Sequence, residues 1–289
     1  MISEKLVKTI EDNFRASFSR VFPHKLNFEA AARDLVNEKR AIEELERVSR
    51  STTMDLQGKK MLEIGSGFGM LVAVARKRFG AEAFGVEPSE QFRGSYPISL
   101  SVLKEMGIED NPIRIGCGED IPYEDGLFDI VYSSNVIEHV KDPAKVFAES
   151  VRVAKSGGYI IHNIPNYGSW WEGHYGIFMP PYSPAWLLKL IVMCMGRDPS
   201  FVDTLQLVTY KKIREWLSPC LDSVEVLDWG QSLWVERMKS LSFSEWAMLG
   251  KLKRVLKIVN YCGLTSLIIS LGKVFHWETP FLLVISEKV

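Results

Sequence analysis

Two stretches of the sequence contain both carboxylate and histidine side chains. One follows an apolar run and the other lies in a later loop. Such side chains can transfer protons or bind metal ions. Asn135, Glu138 and His139 would share one face if this stretch is helical. His174 and the nearby Glu172 lie in a loop rich in aromatic residues. Together these groups can accept a proton or bind a metal ion, while a structural role for His139 stays open. We predict Glu138, His139 and His174 as catalytic residues.

A glycine-rich turn provides the second chemical signal. Met61–Gly69 reads MLEIGSGFG, so an apolar run enters three glycines, as when a buried strand turns sharply into a helix and a ligand approaches the backbone. The dinucleotide fingerprint G-x-G-x-x-G would need glycine or alanine at Met70, so NAD and FAD are disfavoured. Glu87 ends the next apolar run, where a carboxylate can accept hydrogen bonds from two ribose hydroxyls.

With this order of strand, glycine turn, helix, strand and acid, residues 56–166 resemble the class I S-adenosylmethionine-dependent methyltransferases. The branch most similar is type 11, which includes the ubiquinone and menaquinone biosynthesis methyltransferases. The resemblance implies S-adenosylmethionine as the cofactor, whereas a glycine turn without a ligand is the alternative. The cofactor-binding residues that it implies are Glu63, Gly65, Ser66, Gly67, Gly69, Glu87, Gly118, Glu119, Ser134 and Asn135.

Two positions depart from the family pattern. Cys117 stands where an acid usually binds the adenine amino group, so this contact must be weaker or come from elsewhere. The stretch from Asn135 to His139 resembles the E-x-x-E-H pattern by which ubiquinone O-methyltransferases and small-RNA 2′-O-methyltransferases hold a divalent cation, but Asn135 replaces the first glutamate. One neutral histidine and one carboxylate make a poor site for a hard cation, so we predict no metal site.

Alternating apolar strands and helices must position these residues. They predict an α/β, Rossmann-like, seven-stranded and mostly parallel sheet with helices on both faces. Residues 1–55 are predicted as an N-terminal helical cap with helices at 3–18 and 27–50, and residues 56–289 as the methyltransferase domain. The predicted core segments are strands 60–64, 83–86, 113–115, 128–133, 159–163, 223–227 and 280–286, and helices 70–79, 89–106, 185–195 and one from Thr209.

Two segments are extra to the minimal fold, at about 165–208 and 228–279, and we predict that they form one lid over the acceptor site. Four aromatic residues of the first segment are predicted to bind the substrate or to exclude water from it: Trp170, Trp171, Tyr175 and Phe178. A hydrophobic plug is the alternative reading of this loop. His174 is expected to face the transferable methyl group.

Bulk composition limits the partners. The chain has 289 residues, a net charge of −1 and no long charge run, which disfavours nucleic acid. Its four cysteines form no C-x-x-C pair, as expected in a reducing compartment, and the N-terminus lacks a signal-peptide pattern, so we predict a cytoplasmic protein. The basic amphipathic stretch that contains Lys253, Arg254 and Lys257 could lie on a membrane surface, but a solvated helix face is favoured.

The predicted function is therefore methyl transfer from S-adenosylmethionine, to an oxygen of a small-molecule, glycan-linked or lipid-linked acceptor. The competing function is a non-catalytic binding or scaffold subunit that keeps the methyltransferase fold. The presence of Glu87 and of the three glycines favours an enzyme, whereas the missing acid at Cys117 favours a scaffold subunit. The sequence leaves the acceptor and the oligomeric state open.

Overall fold

Three N-terminal helices precede the sheet. The computed structural model describes residues 2–19, 21, 26–88, 94–240, 250–278 and 280–287, and it begins with α1 (Glu4–Phe18), α2 (Phe28–Leu35) and α3 (Glu38–Thr52). The single helix predicted over 27–50 is wrong, because the side chain of Asn37 accepts a hydrogen bond from the Lys39 amide and starts a new helix there.

Strands and helices then alternate as the sequence predicts. They are β1 (Lys60–Ile64), α4 (Met70–Phe79), β2 (Glu82–Glu87), α5 (Ser95–Glu105), β3 (Ile113–Ile115), β4 (Phe128–Ser134), α6 (Pro143–Val153) and β5 (Ala154–Ile164). The predicted start of α5, residues 89–93, lies outside the described residues. Strand β5 begins earlier than predicted, because its pairing with β4 shifts register between Phe128 and Ile130 and so accommodates Gly157 and Gly158 as an irregularity within the strand.

Two longer excursions follow β5. The first contains the short hairpin strands β6 (Trp171–Glu172) and β7 (Ile177–Phe178), then α7 (Ala185–Cys194), and it leads to α8 (Tyr210–Leu217) and β8 (Val224–Trp229). The second contains α9 (Gln231–Ser240), α10 (Gly250–Tyr261) and α11 (Thr265–Phe275), and it leads to β9 (Phe281–Glu287). Thr209 caps α8 through its side chain, as predicted. The predicted end of the second excursion, Thr279, is outside the described residues.

The seven-stranded sheet has the order β3-β2-β1-β4-β5-β9-β8. Strands β1 to β5 pair in parallel with one another, and β9 is antiparallel to both β5 and β8. The predicted α/β, Rossmann-like and mostly parallel sheet is confirmed. The chain order reverses between β1 and β4, so a ligand site is expected outside the carboxyl ends of these strands.

Hydrophobic cores cover both faces of the sheet, as a largely parallel sheet requires. Leu62 belongs to one core, with Phe147 of α6 and Ile213 of α8. Its neighbour Met61 belongs to the other core, which includes Leu45 of α3 and side chains of α4 and α5. The N-terminal helices therefore share a core with β1, and they are fixed beside its carboxyl end.

The turn after β1 gives the first testable prediction. Gly65 and Gly67 both have positive φ angles, of 70° and 53°, but an added Cβ would lie 2.5 Å from Val136 Cγ2 at Gly65 and would meet nothing within 4 Å at Gly67. We expect Gly67→Ala to cost about 1 to 2 kcal/mol of unfolding free energy from backbone strain alone. Gly65→Ala adds repacking and should cost about 2 to 5 kcal/mol.

Denaturant unfolding of the two variants measures this difference, with Gly67→Ala as the matched control. Equal losses would show that Val136 moves aside without cost.

Candidate functional site

A cavity of about 300 Å³ lies at the carboxyl ends of β1, β2 and β4, where the sheet topology reverses. Eight of the predicted site residues line it: Glu63, Gly65, Ser66, Gly67, Glu87, Ser134, Asn135 and His139. The opposite wall comes from α2, α3 and the link between them, through Asp34, Leu35, Asn37, Arg40, Ala41 and Glu44. The sequence predicts helices in this region but does not show which of their polar residues face a cavity.

The Glu87 carboxylate joins the glycine turn to the next helix. Its Oε2 accepts a hydrogen bond from the Gly67 amide at 2.8 Å, and its Oε1 accepts one from the Ser95 hydroxyl at 2.6 Å. Burial raises the pKa of Glu87, although both hydrogen bonds oppose this effect. Each carboxylate oxygen has further lone pairs, so the group can still accept bonds from a ligand in the cavity.

Glu63 lies beside it on β1 and lacks a partner for one oxygen. The side chain is buried, and within the described part of the chain its Oε2 has no hydrogen-bond donor. Burial raises the pKa of Glu63 well above its usual range, and the nearby carboxylates of Glu87 and Glu44 raise it further. A bound cation would relieve both costs.

The remaining charges of the cavity are paired with one another. Arg40 forms an ion pair with Asp34, and Glu44 contacts Arg47 and accepts a hydrogen bond from the Tyr132 hydroxyl. Among the described lining residues, the carboxyl groups without a cationic partner are those of Glu63 and Glu87, and a positively charged ligand would stabilise their ionised forms.

A cluster of two histidines and two glutamates lies at the edge of the cavity. The rings of His139 and His174 are 5.2 Å apart and meet edge to face, and His139 Nε2 is 3.7 Å from Glu138 Oε1. Glu138 is fully buried, and neither of its oxygens has a hydrogen-bond partner in another described residue. The structure thus brings the three predicted catalytic residues together with Glu172.

Glu172 fixes the orientation of His174. Its Oε1 accepts hydrogen bonds from His174 Nδ1 at 2.8 Å and from the Tyr167 hydroxyl at 3.2 Å, and its Oε2 accepts one from the Tyr175 amide. Burial raises the pKa of Glu172, but the bonds and charge of His174 outweigh burial and hold it below its usual range. Burial lowers the pKa of His174, and the bond to Glu172 overcomes this and raises it.

Glu138 and His139 have the opposite protonation preferences. Burial raises the pKa of Glu138 to about 7, although the charge of His174 opposes the shift. Burial lowers the pKa of His139 to about 3, and the charge of His174 adds to this. His139 is therefore neutral near pH 7 and can accept a proton, while Glu138 is close to its midpoint.

The prediction that Asn135, Glu138 and His139 share a helix face is wrong, because residues 135–139 form an irregular turn and the next helix begins at Pro143. Asn135 has a left-handed φ of 54°, which asparagine tolerates better than most residues. Gln206 stabilises the turn, since its backbone N–H donates to the Glu138 carbonyl and its side-chain amide donates to the Val140 carbonyl. No pattern in the sequence indicates this role for Gln206.

Three predicted cofactor residues lie outside the cavity lining. Gly69 is the N-cap of α4, with a positive φ and packed against Ser99. Gly118 packs against Ile64 and Val146, so that an added Cβ would lie 3.1 Å from either side chain. The Glu119 carboxylate accepts a hydrogen bond from the Lys141 amide at 2.8 Å.

None of the four predicted substrate residues lines the cavity either. Tyr175 is fully buried, and its hydroxyl donates to the Asp198 carbonyl at 2.7 Å. Trp171 is buried against Phe178 across the β6–β7 hairpin, and Trp170 lies against Trp277. Phe201, which the sequence did not single out, contacts the rings of both histidines in the cluster.

The two excursions contact each other, as predicted, through bonds from Asn166 to the His276 carbonyl and from Tyr182 to the Phe275 carbonyl. Only the first brings side chains to the histidine cluster. No described residue of the second excursion lines the cavity, and α9 packs through Leu233 onto β9 while α11 packs onto α9. A single lid made of both excursions stays a prediction.

The ligand atoms of Glu138, His139 and His174 lie within 4.8 Å of one another, so these residues could hold a metal ion. The sequence predicts no metal here, and Asn135 supplies no anionic ligand. The arrangement has two chemical uses, as a proton acceptor beside the cavity and as a ligand set with two nitrogens and one carboxylate.

Comparison with known proteins gives the family of the central segment. Residues 62–162 match the model of a methyltransferase domain. Norajmaline N-methyltransferase of Rauvolfia serpentina is 33% identical over 104 residues, which are 36% of this chain and 35% of that protein. The ubiquinone biosynthesis O-methyltransferase of Methylococcus capsulatus is 32% identical over 111 residues, which are 38% of this chain and 45% of that protein. The match therefore spans less than half the length of these relatives.

The similarity of fold covers more of the chain than the similarity of sequence does. A solved protein of Galdieria sulphuraria, assigned as a sarcosine dimethylglycine methyltransferase, has a TM-score of 0.53 at 15% identity and covers 99% of this chain and 98% of its own.

The buried Glu138 predicts a pH-dependent stability. Its pKa of about 7 in the folded protein exceeds the ordinary value of 4.5, so the folded state holds the proton more tightly than the unfolded chain. Its favourable contribution is complete below about pH 4.5 and is lost as the pH rises through 7, by on the order of 3 kcal/mol. We expect the stability of Glu138→Gln relative to the unmodified protein to rise by this amount between pH 5 and pH 8.

Urea unfolding across this pH range measures the free energy of unfolding of the variant and of the unmodified protein. Glu124→Gln, which alters an exposed glutamate, is the control, and we expect its difference from the unmodified protein to stay constant. A constant difference for Glu138→Gln as well would mean that Glu138 titrates normally.

Proposed function

Since this chain belongs to the class I S-adenosylmethionine-dependent methyltransferases, we propose that it methylates a hydroxyl group of a small organic acceptor, including one linked to a glycan or a lipid. One observation carries the choice of a hydroxyl. It is the buried carboxylate of Glu138, without a hydrogen-bond partner in another described residue, beside neutral His139 at the cavity.

The residues that line the cavity suit the cofactor in charge. Gly65 and Gly67 expose their backbone to it, and Glu63 and Glu87 supply the carboxylates. S-Adenosylmethionine carries a sulfonium and an ammonium group, so the unsatisfied Oε2 of Glu63 suits it. When bound, it supplies an electrophilic methyl group. We propose that Glu87 accepts hydrogen bonds from the ribose and that the glycine turn contacts the rest of the ligand.

Proton removal is the step that distinguishes hydroxyl from amine acceptors. An alcohol or phenol must lose its proton as its oxygen forms the new bond, whereas an amine can react in its neutral form. His139 is neutral at pH 7 because of its lowered pKa, and it lines the cavity. Burial makes its imidazolium costly, so we propose that it takes the proton as the new bond forms and that the Glu138 carboxylate, 3.7 Å from Nε2, offsets part of this cost.

The surrounding residues keep this acceptor in place. Glu172 accepts a hydrogen bond from Nδ1 of His174, which leaves Nε2 of His174 on the far side of the ring. Phe201 packs against the rings of His139 and His174. The apolar contact limits the access of water, which strengthens electrostatic interactions inside the cluster. His174 is accordingly proposed to position the pair rather than to accept the proton first.

Cofactor binding provides one test. We expect Glu87→Ala to weaken S-adenosylhomocysteine binding by about tenfold to a hundredfold, because a charge-assisted acceptor is lost. Isothermal calorimetry measures this effect, with Glu82→Ala at the exposed start of the same strand as the matched control. Unchanged affinity in Glu87→Ala would remove Glu87 from the proposed site.

The rate of methyl transfer provides a second test. The release of S-adenosylhomocysteine is measured with a panel of phenols, prenylated phenols and sugars, and with matched amines. We expect release with hydroxyl acceptors and not with the amines. His139→Ala should lower kcat by about a hundredfold or more with little change in cofactor affinity, since its contribution arises in the transition state. His276→Gln, which replaces a histidine outside the cavity lining, serves as the control.

Two results would contradict the proposal. Methylation of amines alone would exclude the hydroxyl acceptor, and cofactor binding without any turnover would favour a scaffold protein. The same assay in EDTA separates proton transfer from metal ligation by Glu138, His139 and His174. We expect turnover to persist in EDTA, whereas loss that magnesium restores would replace the proton acceptor with a bound cation.

A further inference from the structure

Helices α10 and α11 leave much apolar surface exposed. They pack on α9 through a small core in which Leu256 and Ile269 contact Met238. On their other side, Ile258 is 63% exposed, Tyr261 is 91% exposed and Val274 is 70% exposed. A packed surface helix normally buries its large apolar residues, but no described residue covers this face.

Several of the most exposed apolar residues recur on one side of each helix. In α10, Arg254, Ile258 and Tyr261 follow the helical repeat, and Leu256 lies on the opposite side. In α11, Leu267 and Val274 follow the same repeat, with Ile269 opposite. We call the side that contains Arg254, Ile258, Tyr261, Leu264, Leu267 and Val274 the outer face.

The charge of this segment is of one sign. Residues 250–277 contain five basic residues, Lys251, Lys253, Arg254, Lys257 and Lys273, and no aspartate or glutamate, although the whole chain has a net charge of −1. Apolar residues combined with basic ones and no acid are typical of helices that lie in the interface of an anionic membrane.

A neighbouring helix extends the apolar surface. Helix α7 exposes Trp186, Leu190 and Met193, which recur at helical spacing, and Trp186 is 66% exposed. The Tyr182 hydroxyl, just before α7, donates to the carbonyl of Phe275 at the end of α11 at 2.7 Å. The two exposed apolar segments are therefore joined.

We propose that the outer face, together with the exposed side of α7, docks on the surface of an anionic lipid bilayer. A second copy of the chain fits less well, because a symmetric contact would bring basic residues of both copies together without an acidic partner. Among the described residues no single helix is long and apolar enough to cross a membrane, and the pair Lys253–Tyr261 and Thr265–Phe275 is sufficiently apolar but is bent by 120°. A bent pair can place both exposed sides in the interface.

This inference is independent of the methyl-transfer chemistry, since no residue of the outer face lines the cavity. Flotation of the full chain with vesicles tests it. We expect binding to vesicles of phosphatidylcholine and phosphatidylglycerol in a 7:3 ratio at 0.1 M salt. Binding should be at least about tenfold weaker to phosphatidylcholine alone and should weaken at 0.5 M salt.

Two pairs of substitutions separate the contributions. Arg254→Gln with Lys257→Gln should weaken binding by about tenfold or more at 0.1 M salt, because each basic residue near an anionic surface contributes about fivefold. Ile258→Ser with Leu267→Ser should weaken it by at least about tenfold at either salt concentration. The controls are Lys104→Gln with Lys211→Gln, and Ile115→Ser with Leu227→Ser, which alter exposed residues of the same types elsewhere.

Thermal unfolding checks that the variants fold. Hydrogen exchange of the unmodified protein gives a second measurement, with slower exchange of residues 253–275 expected on anionic vesicles. The proposal is overturned if the unmodified protein does not float, if the two test pairs bind as well as their controls, or if exchange in 253–275 is unchanged. A dimer in the absence of vesicles that Ile258→Ser with Leu267→Ser dissociates would assign the face to a second copy instead.

Discussion

The geometry of the cavity depends on one buried carboxylate. Glu87 ends β2 and accepts hydrogen bonds from Gly67 in the turn after β1 and from Ser95 at the start of α5, so it connects three elements at the edge of the sheet. Burial makes its charge costly, and the two donors offset part of that cost. The turn can make the contact because its glycines adopt positive φ angles.

Burial has different consequences for Glu63, Glu138 and Glu172 because their partners differ. Glu172 has several hydrogen-bond donors around it and keeps a lowered pKa. Among the described residues, one oxygen of Glu63 and both oxygens of Glu138 lack a hydrogen-bond donor from another side chain or backbone group, and burial raises the pKa of both glutamates. The site therefore places unsatisfied charge where a cationic cofactor and a released proton would be accommodated, and satisfied charge where a histidine must be held still.

The sequence predicted what local patterns determine. The succession of strands and helices along the chain, the glycine turn and Glu87 follow from apolar runs and glycine spacing, and the structure has them as expected. Glu138 and His139 do meet His174, although through a turn held by Gln206 rather than through a helix. The cavity wall from α2 and α3 and the burial of Tyr175 depend on contacts between distant segments. Amphipathic periodicity shows that a face is buried but does not identify its neighbour.

The position of β9 has a consequence for the order of folding. It lies between β5 and β8, and its pairs with β5 join residues as distant as Tyr159 and Ser286. Until β9 has been synthesised, one edge of β5 has no strand to pair with, and β8 has no place in the sheet. Such long-range pairing slows folding and leaves an apolar strand edge open to association with other chains. The nascent chain would therefore depend on late sheet closure, and chaperones that cover strand edges would increase its yield.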